Sequence, residues 1–213
     1  FCKEYGDLQS DYLDVNNYDY TGKKKSVINK MVKIMSGQLR YDSDYVYIRH
    51  YMTVYQYVPL WVLMNVLTIG QLSKIYASQK GRIQIKVCQD FGPLKINELG
   101  KMLAVMTKFR NVCAHNDRLF DFRTKDALLD RNIYERLQIT KEKGRYKYGK
   151  NDLYAQVIIL KLFLSDEDFR IFFHDLKRCF KKHPIHKEIL EKMGFPENWK
   201  RIGRIKKYTK SEI

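Results

Sequence analysis

The run Asn97-Glu98-Leu99-Gly100-Lys101-Met102-Leu103-Ala104-Val105-Met106-Thr107-Lys108-Phe109-Arg110-Asn111-Val112-Cys113-Ala114-His115 decides the architecture. Leu99, Met102, Leu103, Met106, Phe109 and Cys113 recur with the spacing of a helix that has one apolar side. Asn97 stands where a cap is wanted, since its side-chain oxygen can accept from first-turn amides. If the helix continues to Arg118, then Lys108, Asn111, His115 and Arg118 follow at steps of three, four and three, opposite the apolar side. Arg110 lies about 140° from His115 at the helical step, yet its long side chain can turn toward that surface, more so if the helix frays there. A basic, imidazole-bearing face beside an apolar stripe fits a phosphate site and a solvated amphipathic surface equally.

Outward from this helix, most segments read the same way. Upstream, Val27, Met31, Ile34, Met35 and Leu39 have helical spacing, with Thr21 or Ser26 as the cap. A helical segment over residues 44–55 follows, and most of the tyrosines from Tyr45 to Tyr57 are expected to pack the core with hydroxyls reaching the surface. Pro59 suits the first turn of one continuous helix over residues 60–77, apolar on almost every face and so the centre of the core. A shorter helix over 82–90 is stopped by Gly92-Pro93, and residues 1–20 read as irregular after a helical end. Downstream, residues 141–150 lack apolar periodicity and read as a basic loop or hairpin. Helices over 153–164 and 166–182 follow, with Ser165 capping the second and Pro184 closing the pair. No alternating run argues for a sheet. The expectation is an all-α chain: a helical core over 1–140, a basic loop over 141–150, and a helical extension with a basic tail over 151–213.

Hydrophobic residues make up 45% and charged residues 30%, enough apolar material for a folded core and too much for a disordered chain. The densest apolar run, residues 58–69, is interrupted by Asn65 and falls short of the roughly 20 residues that span a bilayer. Forty basic against 24 acidic residues leave a formal charge of +16, which attracts polyanions and directs attention to nucleic acid. Cys2, Cys88, Cys113 and Cys179 are scattered, a pattern of reduced cytoplasmic thiols rather than a disulfide framework. Cys179, His183 and His186 make a poor metal site, because Pro184 interrupts the helix between the histidines and no fourth ligand lies nearby. With no Walker loop, dinucleotide fingerprint or His-Glu-x-x-His either, neither metal nor cofactor is expected.

Phe109-Arg110-Asn111-Val112-Cys113-Ala114-His115-Asn116 resembles the Arg-Asn-x-x-Ala-His-Asn/His signature of HEPN ribonucleases. The nearer resemblance is to the Abi-like abortive-infection proteins of the AbiD/AbiF group. Tyr47-Ile48-Arg49-His50-Tyr51, Val58-Pro59-Leu60-Trp61-Val62, Ile69-Gly70-Gln71-Leu72-Ser73 and Gly194-Phe195-Pro196-Glu197-Asn198-Trp199 are similar to that group in its usual order. An Arg-x4-His pair alone is common by chance; the ordered set is far more specific. Members of the group usually carry further helical sequence ahead of this point, and the chain opens on Phe1 rather than Met, so a preceding segment is expected.

The resemblance implies a HEPN-type helical bundle with additional C-terminal helices, and metal-independent cleavage of RNA in phage defence, in an abortive-infection or toxin-like role. His115 would be the general acid or base, Arg110 the phosphate clamp and Asn111 the residue that orients either. HEPN proteins pair two domains so that two motifs face one cleft; with one motif here, a homodimer is implied. A structured non-coding RNA is the regulatory partner that the group suggests. The basic face also fits a non-catalytic binder of structured RNA, and the helical surface a regulatory protein-interaction module.

Further RNA contacts are expected from Lys108 and Arg118, and from Arg145 and Lys147, which alternate with Tyr146 and Tyr148 on the basic segment. Lys200, Arg201, Arg204, Lys206 and Lys207 of the tail complete the set as phosphate contacts without sequence preference. Arg49 and His50 lack the Arg-x4-His spacing and are expected to make buried contacts near the core helix.

Overall fold

The computed structural model describes residues 1–209. They carry twelve α-helices and one two-stranded hairpin, so the chain is all-α. It divides into two compact units, Phe1–Val87 and Cys88–Ile213. No helix among the described residues is long and apolar enough to cross a membrane.

The first unit holds α1 (Cys2–Tyr5), α2 (Gln9–Leu13), α3 (Lys24–Gln38), α4 (Val46–His50), α5 (Leu60–Leu63), α6 (Ile69–Ser78) and most of α7 (Gly81–Asp90). The opening stretch is thus partly helical, and tyrosines tie it down. Tyr12 is fully buried and its hydroxyl donates to the Val58 carbonyl at 2.7 Å; the Tyr18 hydroxyl donates to the Tyr12 carbonyl at 2.7 Å. With their hydroxyls satisfied, both rings fill the core at little polar cost, and burial raises both phenol pKa values above the ordinary range. Packed against α6, α3 buries Ile28, Met31 and Met35 at steps of three and four. It starts at Lys24, ahead of Ser26 and with no side-chain cap from Thr21.

The continuous helix expected over 60–77 is broken. One turn of α5 passes into a 3-10 turn, Met64–Val66, and α6 begins afresh at Ile69. Thr68 is the cause: its hydroxyl accepts the Gln71 amide at 3.3 Å while the Gln71 side chain accepts the Thr68 amide at 2.7 Å. This reciprocal cap satisfies two amides that would otherwise lack partners at a helix start. Each short piece then aims its own apolar residues inward, Leu60, Val62 and Leu63 from α5 and Ile75 and Tyr76 from α6.

The second unit contains α8 (Ile96–Ala114), α9 (Asn132–Arg136), strands β1 (Lys141–Glu142) and β2 (Arg145–Tyr146), α10 (Leu153–Phe163), α11 (Asp166–Lys182) and α12 (Lys187–Lys192). Residues 141–150 form a hairpin inside this unit, with Lys141 opposite Tyr146 and Glu142 opposite Arg145. Between α8 and α11, α10 packs on both. Asp152 caps α10 by accepting the Ala155 amide at 2.9 Å and also accepts the Gly149 amide at 2.8 Å. Burial nevertheless pushes the Asp152 carboxyl up to about 6. Gly194, at φ 85°, lies over this cap, and a Cβ there would come within 2.1 Å of the Asp152 carboxyl carbon. Beside it Phe195 and Trp199 meet nearly edge to face at 5.5 Å, and Tyr154, Phe173 and Phe180 complete an aromatic cluster.

Candidate functional site

The candidate site sits at the C-terminal end of α8, and the opposite end of that helix explains how it is held. Glu98, three residues into α8, accepts the Lys95 amide at 2.7 Å, so the cap is closed by Glu98 rather than by Asn97. The same carboxylate oxygen meets the Arg131 guanidinium at 2.6 Å, with both side chains about nine-tenths buried. Leu99, Met102, Val105, Phe109 and Val112 form the buried side. Cys113, expected on that side, is exposed, because the burial steps run from Phe109 to Val112 and not to Cys113.

The helix stops at Ala114, one residue before the candidate histidine. His115 is the C-cap and Asn116 turns into the left-handed region at φ 54°. The Asn116 amide then donates to the Cys113 carbonyl at 3.3 Å and the Asp117 amide to the Val112 carbonyl at 2.9 Å. This is the Schellman pattern, which occupies two carbonyls at the helix end, with asparagine in the position usually given to glycine. Arg118 is therefore not on the helical face that contains Lys108, Asn111 and His115. It pairs instead with Asp121 and lies over the Phe120 ring at 4.7 Å.

Within the segment, Lys108, Arg110 and His115 are exposed and Asn111 is half-buried. An Arg110 Nη1 donates to the Asn111 side-chain oxygen at 3.4 Å, which turns the guanidinium toward the face of Asn111. The helix end carries a cation and an imidazole open to solvent, with the half-buried Asn111 amide beside the cation. A carbonyl end of a helix by itself repels phosphate. Here the Schellman bonds occupy two carbonyls, and Lys108 and Arg110 supply the positive charge that a phosphate needs.

The remaining expected contacts are spread elsewhere in this unit. Arg145 is exposed on β2, while Lys147 is held by Glu142 at 2.8 Å. Tyr146, read from the sequence as an exposed stacking residue, is buried against Tyr134 at 4.8 Å, because the hairpin turns its ring inward. In the tail Arg201 is occupied by the Arg136 carbonyl at 2.7 Å and the Gln138 side chain at 3.0 Å, and Lys207 by the Leu164 carbonyl. Arg136 in turn holds the Lys206 and Lys207 carbonyls at 2.9 Å each. Lys200, Arg204 and Lys206 are exposed. Lys210, the last residue of the basic tail, lies outside the described residues.

The first unit corrects another expectation. Arg49 and His50 are exposed, not buried, and of the tyrosines around them Tyr51 packs against the core while Tyr45, Tyr47 and Tyr55 lie on the surface. Trp61 is 60% exposed, and His50 packs edge-on to Tyr55 at 5.8 Å. The buried stripe of this segment is Ile48 and Met52, a four-residue step that was present in the sequence and outranked by the aromatics.

A family model described as Abi-like protein matches residues 1–121. The match takes in segments 47–51, 58–62 and 69–73 and the whole of 110–115, and it ends well before 194–199. No curated protein and no solved structure matches the chain.

Proposed function

The chain belongs to the Abi-like protein family, and from that premise we propose that it is a metal-independent endoribonuclease of the HEPN type. Membership supports a role in abortive infection of phage-infected cells and is compatible with nuclease activity. The observation that carries the proposal is the exposed group at the end of α8, where Arg110 and Asn111 are joined and His115 caps the helix. Arg110 and His115 are exposed and Asn111 half-buried, on an element anchored at its other end, which is how a site gains fixed geometry without giving up access.

The reaction follows from the side chains. A ribose 2′-hydroxyl attacks the adjacent phosphorus, the P–O2′ bond forms and the P–O5′ bond breaks, leaving a 2′,3′-cyclic phosphate and a 5′-hydroxyl. Arg110 donates to the phosphoryl oxygens as charge grows on them. Histidine moves protons near neutral pH, so His115 takes the 2′ proton or delivers one to the departing 5′ oxygen. One imidazole cannot do both at once. A second copy of the chain, bringing a second His115 to the same cleft, completes the pair, so the active form is a homodimer acting in the cytoplasm. A structured RNA occupying that cleft would restrain the enzyme between infections.

The test is cleavage of varied RNAs in excess chelator, with the solution mass measured alongside. Arg110→Ala and His115→Ala should each lower the rate by about 100-fold or more, with RNA binding retained. A dimeric wild-type protein that binds RNA and cuts none of it overturns the enzymatic reading.

A further inference from the structure

Beyond the family-matched residues, the second unit contains a cavity of about 590 Å³ between α11 and the turn Trp199–Gly203 with the tail that follows. That volume lies in the range of small-ligand sites, about 300–1,000 Å³. Phe169 and Phe173 line its wall, stacked with ring centres 5.7 Å apart and planes 13° from parallel. Around them stand Lys161, Arg170, Lys177, Lys200, Arg204 and Lys206, against one carboxylate among the described residues, Asp166.

Among the described residues these cations are poorly compensated. Lys161 is 6% exposed, and its ammonium group lies over the Phe169 ring at 4.6 Å. Its pKa is lowered first by burial, while Asp166 partly offsets this and Lys207 and Arg136 add to it. An ammonium taken out of water among like charges is costly unless an anion joins it. Arg170 has a solvent-exposed carboxylate, Glu167, at 3.6 Å, a pair of little worth. Lys177 and Lys200 lie over the rings of Phe173 and Trp199 at 5.1 and 5.8 Å. Arg204 meets no carboxylate among the described residues.

We propose that this cavity binds a nucleoside polyphosphate, with the phosphates on Lys161, Arg170, Lys177, Lys200 and Arg204 and the base against the aliphatic stems that cover Phe169 and Phe173. The shape separates this ligand from an RNA backbone. A strand spaces its charges one per nucleotide, whereas adjacent phosphoryl groups concentrate them where these side chains converge. Phe169 and Phe173 are themselves buried, so the apolar surface offered to a base is chiefly the aliphatic stems of the cations that cover them. The site uses none of Arg110, Asn111 and His115, so it stands or falls separately from RNA cleavage. The same polyphosphate chemistry occurs in a free nucleotide and at the 5′-triphosphate end of an RNA.

Calorimetric titration of the full chain with ATP, tripolyphosphate and adenosine tests the site. His115→Ala protein serves for the RNA arms, so that no strand is cut. ATP should bind more tightly than tripolyphosphate, and adenosine least. Arg204→Ala, an exposed change that leaves the fold alone, should weaken ATP at least about tenfold, and Lys161→Met likewise. His115→Ala should bind ATP as the wild type does. Displacement of ATP by a 5′-triphosphorylated oligoribonucleotide, but not by its 5′-hydroxyl counterpart, assigns the pocket to strand ends; displacement by neither assigns it to free nucleotide. Equal displacement by both strands, ATP affinity unchanged in Arg204→Ala, or no ATP binding overturns the proposal.

Discussion

At the start of α8 one oxygen of Glu98 serves both the Lys95 amide and the Arg131 guanidinium, deep in the second unit. At the other end the helix closes on its own backbone through Asn116, and Arg110 and His115 project into solvent. The contrast separates framework from candidate site along one helix. Its rigidity comes from contacts made at Glu98 and along Leu99, Met102, Val105 and Phe109, none of which Arg110 or His115 supplies. Freed from structural duty, the far end can present groups whose partners are not in this chain. Mutations at the two ends should therefore separate stability from activity.

The largest stability effect belongs to the anchored end. Glu98→Ala removes the Arg131 carboxylate and the acceptor for the Lys95 amide together, and should cost about 3 to 4 kcal/mol in a urea titration. Glu98→Gln keeps an acceptor and should recover part of that. A loss below about 1 kcal/mol in the alanine variant would mean that the apolar side alone holds the helix.

A second buried carboxylate sharpens the comparison through pH. Asp152 is pushed from 3.8 up to about 6 by burial, so the folded chain holds its proton more tightly than the unfolded chain does. Its contribution to stability is then greatest below the unfolded value, declines as pH rises between about 4 and 6, and is level above that. The decline should amount to roughly 3 kcal/mol. Comparing urea midpoints across this range for wild type and Asp152→Asn isolates it, since asparagine does not titrate. Parallel profiles in the two proteins would rule Asp152 out as the source.

Much of this frame is legible in the sequence where periodicity and polar signals agree. Ser165 before the Asp166–Lys182 helix is such a case: its hydroxyl accepts the Asp168 amide at 3.0 Å, and both helix limits follow from Ser165 and Pro184. Legibility fails where a local bond competes with a long apolar pattern. Thr68 and Gln71 break a run that hydropathy alone would continue, and Asn116 ends α8 before Arg118 can join its face. It fails too for aromatics, whose large apolar bodies suggest burial: Tyr45, Tyr47 and Tyr55 lie outside, Tyr146 inside. The residues Arg110, Asn111 and His115 were readable as a group because their chemistry and order stand in one short segment. The cavity beside α11 was not, since Lys161, Arg170 and Arg204 lie on separate elements and only folding brings them together.

The smallest stability effect is expected at the open end, and it is the most discriminating. Arg110→Ala removes one 3.4 Å bond to Asn111 at the surface, and His115→Ala removes an exposed ring while its backbone keeps the amide bond to the Asn111 carbonyl at 2.9 Å. Each should therefore change stability by less than about 0.5 kcal/mol. Asn111→Ala should cost slightly more, because its side chain is half-buried. Urea midpoints within that margin, in the same protein preparations that lose RNA cleavage, assign the segment to chemistry. A loss above about 1 kcal/mol in Arg110→Ala or His115→Ala would instead make these residues part of the framework, because an exposed side chain has that effect only when it holds something in place. The two ends of α8 would then not differ in kind, and the loss of cleavage would follow from a displaced helix end.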